Sequence, residues 1–201
     1  MLKRILKLVI AVIILFGIGF GLSKGLELYK NTFYPIKYSE YVEKYSKENE
    51  LDPYLIYAII KTESKFQKDV ISNVGARGLM QLMEDTFEWI KFRKKDDRDI
   101  SYDDIFNPEY NIEYGTYMMK LLCDEYEDLP TAIAAYHAGR GTVNKWLKSP
   151  EYSSDGKTLS NIPSKTTAHY VDKVISAYEG YTNLYNNKKD GWYYVRQKIR
   201  C

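Results

Sequence analysis

Two dipeptides constrain the fold of this chain more than any other signal: Asp52-Pro53 and Asn107-Pro108 each open a stretch with helical periodicity. An Asp or Asn side chain can cap the first turn of a helix, and proline suits the first helical position, where its missing N–H is not needed. Behind Asp52, Ile56, Ile59, Ile60 and Glu63 recur at i, i+3, i+4 and i+7, one face of an α-helix. Behind Asn107, the spacing buries Ile112, Gly115, Met119, Leu122 and Tyr126, with Gly115 allowing a close helix crossing. "YSEYVEKYSKENE" puts Tyr38, Tyr41, Val42 and Tyr45 on one side of another helix. "LMQLMEDTFEWIKF" reads as helix throughout, and "DLPTAIAAYHAG" as a helix from near Pro130 to Gly139. "RGTVNKWL" reads as a tight turn, a Thr142 cap and a short helix, and the segment after Thr167 carries Val171, Val174, Ile175 and Tyr178 on one face. No stretch alternates at period two for long, so a mainly α domain is expected.

Between these helices, "QKDVISNVGARG" is a loop bracketed by glycines, "RKKDDRDISYDD" a charged, solvated loop, and Ser149 to Pro163 a loop rich in Gly, Ser and Pro. Glu63 is the residue that does not fit its surroundings. It continues the isoleucine stripe, while Lys61 and Lys65 point elsewhere. A carboxyl beside apolar groups has its charged form disfavoured, so its pKa is expected to rise toward the range of a general acid. The competing expectation is a frayed helix end with a solvated glutamate.

A chain of 201 residues has room for one domain with a core plus appendages. Its formal net charge of +2 carries no electrostatic footprint for nucleic acid. Its 20 tyrosines suit carbohydrate contacts, and equally a core or its rim. Lys3, Arg4 and Lys7 precede Leu8 to Leu22, a run without a polar side chain. That order predicts a single-pass anchor with a cytoplasmic N-terminus and the remaining chain outside the cell membrane, on the wall side. No small-residue cleavage pattern follows the run. The expected division is an anchor over 1–24, a juxtamembrane linker over 25–37, a domain over 38–185 and a tail over 186–201. Cys123 and Cys201 match no metal spacing, and His137 and His169 are too few and too separated for a zinc site. There is no Gly-rich phosphate loop and no Ser-His-Asp cluster, so no metal and no cofactor is expected.

Four stretches, in order, resemble one family: "IIKTESKF", "SNVGARGLMQLM", "NPEYNIEYGTYMMKLL" with "AIAAYHAGRGTVNKWL", and "IPSKTTAHYVDKVISAY". Over roughly residues 40 to 182 the chain resembles the catalytic domain of the soluble lytic murein transglycosylases (SLT family), in the lysozyme-like superfamily. The resemblance implies a lysozyme-like helical domain, similar to goose-type lysozyme, with a cleft for peptidoglycan glycan strands. It implies that Glu63 is the single catalytic acid and base. Glu63 would protonate the oxygen between N-acetylmuramic acid and N-acetylglucosamine, then take the proton of the 6-hydroxyl as a 1,6-anhydro end closes. An ordinary retaining glycosidase uses two carboxylates about 5 Å apart.

The same resemblance places Ser72, Met80, Gln81, Tyr136, His137 and Tyr170 at positions that bind substrate. Two departures stand out. His137 replaces the asparagine of the family's Ala-Tyr-Asn-Ala-Gly motif and is expected to make activity more sensitive to pH. "IPSKTT" replaces Ile-Pro-Phe-x-Glu-Thr, so Ser164 stands for the phenylalanine and Thr166 for the glutamate. Two further readings stand beside the transglycosylase. One is a hydrolytic muramidase, for which Asp69 is the nearest second carboxylate in sequence. The other is a glycan-binding accessory module of an envelope-spanning secretion, conjugation or sporulation machine.

Overall fold

The computed structural model describes residues 2–185, apart from the side chains at positions 2–3, 5–9 and 11–12. It divides into two compact units, Met1–Ile36 and Lys37–Cys201. The first contains α1, Leu2–Phe33, one uninterrupted helix that runs through most of the expected linker. Its described apolar side chains are exposed, Ile13, Leu15, Phe16 and Leu22 among them. Among the described residues no helix is long and apolar enough to cross a membrane. The expected single-pass anchor therefore finds no support in them, and several side chains of its apolar run, such as Leu8 and Val9, lie outside the described set. The tail over 186–201, with any Cys123–Cys201 pairing, also lies outside it.

The second unit is helical: α2 Ser39–Glu48, α3 Pro53–Ser64, α4 Glu84–Lys94, α5 Pro108–Glu125, α6 Leu129–Ala138, α7 Arg140–Leu147 and α8 Lys165–Tyr185. Among the described residues there are only isolated bridges, Ile71 with Arg77 and Arg77 with Leu82, and no strands. Both Asx caps form as expected. Asp52 accepts from the Tyr54 N–H, Asn107 from the Glu109 N–H, each at 2.9 Å. Tyr178 also donates to Asp52 at 2.9 Å, fastening α8 to the start of α3.

Helix α3 is more deeply set than a one-faced stripe implies. Ile56, Ile59 and Ile60 are fully buried, but so are Leu55, Tyr57 and Ala58, because α2 and α8 cover it from different sides. A helix apolar nearly all round is the sequence mark of such a central position. The tyrosines Tyr54, Tyr57, Tyr181 and Tyr185 form an aromatic seam between α3 and α8, with Tyr57 and Tyr181 ring centroids 5.6 Å apart.

Four expectations need correction. The helix read from Leu79 begins only at Glu84, since Gly78 and Gln81 take left-handed backbone angles of φ 79° and 48°. Thr142 is no cap: α7 starts at Arg140, directly after Gly139 at φ 83°. Gly115 makes room for the Met80 side chain instead of a second helix, and a Cβ there would stand 2.5 Å from the thioether sulfur. The "RKKDDRDI" stretch is not simply solvated. Lys94 and Arg98 each donate at 2.7 Å to Glu113, which is 6% exposed on α5. Arg98 also pairs with Asp96 at 2.5 Å, and Asp96 accepts from Tyr114 at 2.7 Å.

Candidate active site

Helix α3 delivers Glu63 to its own C-terminal turn, one residue before the helix ends at Ser64. Lys65 and Phe66 then adopt left-handed angles, φ 51° and 64°, which break the helix and send the chain away. The carboxyl is partly accessible, above the buried isoleucines. Two effects disfavour its charged form. Burial pushes the pKa from the ordinary 4.5 up to about 7, and a helix C-terminus adds negative potential. A phenol opposes them: Tyr170 of α8 donates to Glu63 Oε1 at 2.6 Å, stabilising the anion. No neighbouring cation or carboxylate contributes to the shift. Near neutrality such a group can both give and take a proton, as a general acid and base must.

Tyr136 and Tyr170, named from the resemblance, both stand at this site. Each phenol is buried and its pKa is raised well above the ordinary value, by desolvation first and by the Glu63 charge second. The Tyr136 hydroxyl is committed, donating to the Met80 carbonyl at 2.8 Å. It ties α6 to the Gly78–Gln81 turn, so its part in the site begins with holding that turn. His137 lies at the exposed end of α6, with its ring centroid 4.5 Å from that of Tyr170.

The turn itself departs from expectation. Met80 is fully buried and its side chain fills the notch at Gly115, so it can touch no glycan. The accessible methionine of "GLMQLM" is Met83, 41% exposed, two residues past Gln81. Gln81 is half-buried and donates from Nε2 to the carbonyls of Val70 and Gly78 at 3.1 and 2.8 Å, which leaves Oε1 as its acceptor. Ser72 closes its own loop: its Oγ accepts from the Ala76 N–H at 3.0 Å, and no bond joins it to Glu63.

The organiser of this turn is Asn111, which the motif reading passed over. It is fully buried on α5. It accepts from the Met80 N–H at 2.7 Å and donates to the carbonyls of Arg77 and Ile105 at 3.0 and 2.9 Å. Gly78 sits against it, and a Cβ there would fall 2.1 Å from the Asn111 amide nitrogen. The available signal was the one that marked Glu63, a polar residue on the apolar stripe, here four before Gly115. Among the described residues no group of three or more His, Cys, Asp or Glu is arranged to hold a metal ion.

A helical domain that carries one desolvated glutamate on its central helix, with a phenol against it and a Gly-rich turn beside it, is of the lysozyme-like class. Comparison with known proteins gives the family: the model of the transglycosylase SLT domain matches residues 40–159, more than half of the chain, and the chain belongs to that family. It is 33% identical over 117 residues to a transglycosylase of Enterobacteria phage PRD1, covering 58% of this chain and 40% of that protein. It is 32% identical over 173 residues to the membrane-bound lytic murein transglycosylase C of Actinobacillus pleuropneumoniae, covering 74% and 46%. Among solved structures, the 70 kDa soluble lytic transglycosylase of Escherichia coli aligns with a TM-score of 0.71 and 27% identity, over 81% of this chain and 26% of that one. The chain thus spans less than half the length of these relatives.

Proposed function

We propose that the chain is a peptidoglycan lytic transglycosylase in which Glu63 alone serves as acid and then base. One observation carries this reading: a carboxyl raised to about 7 by burial, held by a Tyr170 hydrogen bond, with no second carboxylate acting on it. Protonated Glu63 donates to the glycosidic oxygen between N-acetylmuramic acid and N-acetylglucosamine, and the bond to the anomeric carbon breaks. The substrate's acetamido group stabilises the positive character left there. The Glu63 carboxylate, now accepting from Tyr170, takes the proton of the 6-hydroxyl, whose oxygen closes on the anomeric carbon. The product is a 1,6-anhydro end, no water is consumed and Glu63 is returned protonated. Proton transfer by one placed group contributes about 10²–10⁴-fold, so binding of neighbouring sugars supplies the remainder. Gln81 Oε1, Ser72 and the exposed Met83 are the groups we assign to that binding.

A hydrolase would need a second group to orient water. Asp69, the residue nearest in sequence to fill that role, is on an exposed loop, its side chain 75% exposed and 3.9 Å from Lys68. We also infer that the segment before the domain holds the enzyme at the outer face of the cell membrane. That inference rests on the basic residues preceding the apolar run Leu8 to Leu22.

The test is digestion of purified peptidoglycan sacculi with the detergent-solubilised full chain and its Glu63→Gln variant, the soluble muropeptides being read by mass spectrometry. Fragments one water lighter than reducing-end muropeptides, absent with Glu63→Gln, are expected. Reducing ends would replace this reading by a hydrolase, and binding without release by an accessory module.

A further inference from the structure

His137 and the "IPSKTT" segment, two departures separated in the sequence by α7 and a loop, meet at the first turn of α8. His137 Nδ1 lies 3.2 Å from Thr167 Oγ1, and the Thr167 hydroxyl donates to Ser164 Oγ at 3.1 Å. Ser164 Oγ also accepts from the Thr167 N–H at 3.3 Å and lies 2.9 Å from Thr166 Oγ1. With the Thr167 hydroxyl donating to Ser164, the matching neutral tautomer carries its proton on Nδ1 and leaves Nε2 as the ring's acceptor. Ser164 therefore has a defined task here: it orients the hydroxyl that orients the imidazole.

The same imidazole lies against Tyr170, with ring centroids 4.5 Å apart and planes tilted by 32°. Thr167 and Tyr170 are three residues apart on α8 and so share a helix face, which lets one side chain from α6 touch both. The Tyr170 phenol is in turn 2.6 Å from Glu63 Oε1. The imidazole thus contacts both Thr167 and the ring whose hydroxyl reaches Glu63.

We propose that His137 is a positioning residue for the acid, and that with Thr167 and Ser164 it holds Tyr170 in the place from which the phenol donates to Glu63. This rests on the reading of Glu63 as the acid. It gives the two departures one structural meaning, because Ser164 replaces a phenylalanine where His137 needs an oriented hydroxyl.

The test uses the full chain and the variants His137→Asn, His137→Phe and Thr167→Val, with muropeptide release measured across pH. In His137→Asn, which keeps a polar group and loses the ring, kcat is expected to fall about tenfold with KM within twofold. The basic limb of the profile should move to higher pH, because a weaker phenol donation leaves the Glu63 anion less stabilised. His137→Phe, which keeps a ring against Tyr170 but loses the bond to Thr167, and Thr167→Val, which keeps the imidazole but loses the same bond, should both lie between the wild type and His137→Asn. Titration of the Glu63 carboxyl by NMR in the resting protein should move upward in His137→Asn, whether or not that variant turns over. A raised KM at unchanged kcat would instead make His137 a direct glycan contact, and an unmoved Glu63 titration would make it packing alone. Either outcome overturns the proposal. Full release by Glu63→Gln, run in parallel, would overturn the assignment of the acid itself.

Discussion

Glu63 and Glu113 are glutamates drawn out of water by helices of the same unit, yet one is left without a cation and the other is given two. Glu63 ends α3 with only a phenol for company, and its pKa rises to about 7. Glu113 lies within α5, ion-paired to Lys94 and Arg98 and within 3.4 Å of Tyr45 Oη. Beside it, the hydrogen bonds from Arg98 and Tyr114 hold the Asp96 carboxyl well below the usual carboxylate range. The first arrangement makes a proton available near neutrality at a cost in stability. The second pairs charge with charge and binds the segment after α4 to α5. Burial is common to both, and what differs is the neighbouring charge: none beside Glu63, two cations beside Glu113.

The sharpest way to break this comparison is to neutralise each glutamate. Glu63→Gln should lose at least 10³-fold in muropeptide release while melting at the wild-type temperature or above it, since no paired charge is lost. Retained release would end the assignment. Glu113→Gln should do the opposite and cost about 2–3 kcal/mol in urea denaturation, a figure discounted for the partial exposure of Arg98. Its specific activity, measured well below the melting point, should stay within twofold.

The pH dependence of stability should separate the two sites by sign. Glu63 has a folded pKa raised from 4.5 to about 7. Its contribution is thus fully present below pH 4.5 and is lost as pH rises toward 7, by about 2 kcal/mol after allowing for partial exposure. Asp96 has a folded pKa below its ordinary 3.8, so its contribution is present above that pH and is lost on acidification. Urea titrations at several pH values should show the first slope vanish in Glu63→Gln and the acid-side slope shrink in Asp96→Asn. A slope unchanged by either substitution would refute the charge assignment at that site. The smallest effect is expected for Tyr170→Phe, about tenfold in kcat with the basic limb shifted upward, because the hydroxyl that stabilises the anion is gone. A downward shift would show that the phenol does not donate to Glu63.

The legibility of the site followed the range of the interaction involved. Asp52 and Asn107 could be read as caps because a cap bonds an N–H two residues away. Glu63 could be read as anomalous because its stripe lies within one helix. Asn111 obeys the same local rule and was still passed over, since its partners Arg77, Met80 and Ile105 lie in other segments. The Leu79–Met83 stretch was misread as helix because Gly78, pressed against Asn111, and Gln81 in a left-handed conformation interrupt a pattern that is apolar enough to be helical. The charged run after α4 concealed an ion-pair network for a related reason: the like-looking residues Lys94, Asp96 and Arg98 acquire meaning only opposite Glu113 and Tyr114.

By itself the amino-acid sequence determined the helical class, the positions of two helix starts, the placement of Glu63 on a buried stripe and the family. The first three depend on periodicity or on contacts a few residues apart, which local geometry settles; the family rests on motifs matched in order along residues 40–159. Tertiary structure alone decided that Met80 is core and Met83 accessible, that Tyr136 spends its hydroxyl on a backbone carbonyl, and that His137, Thr167 and Ser164 join to face Tyr170. Those outcomes depend on which helices are brought side by side, and the packing of α3, α6 and α8 is a property of the whole core.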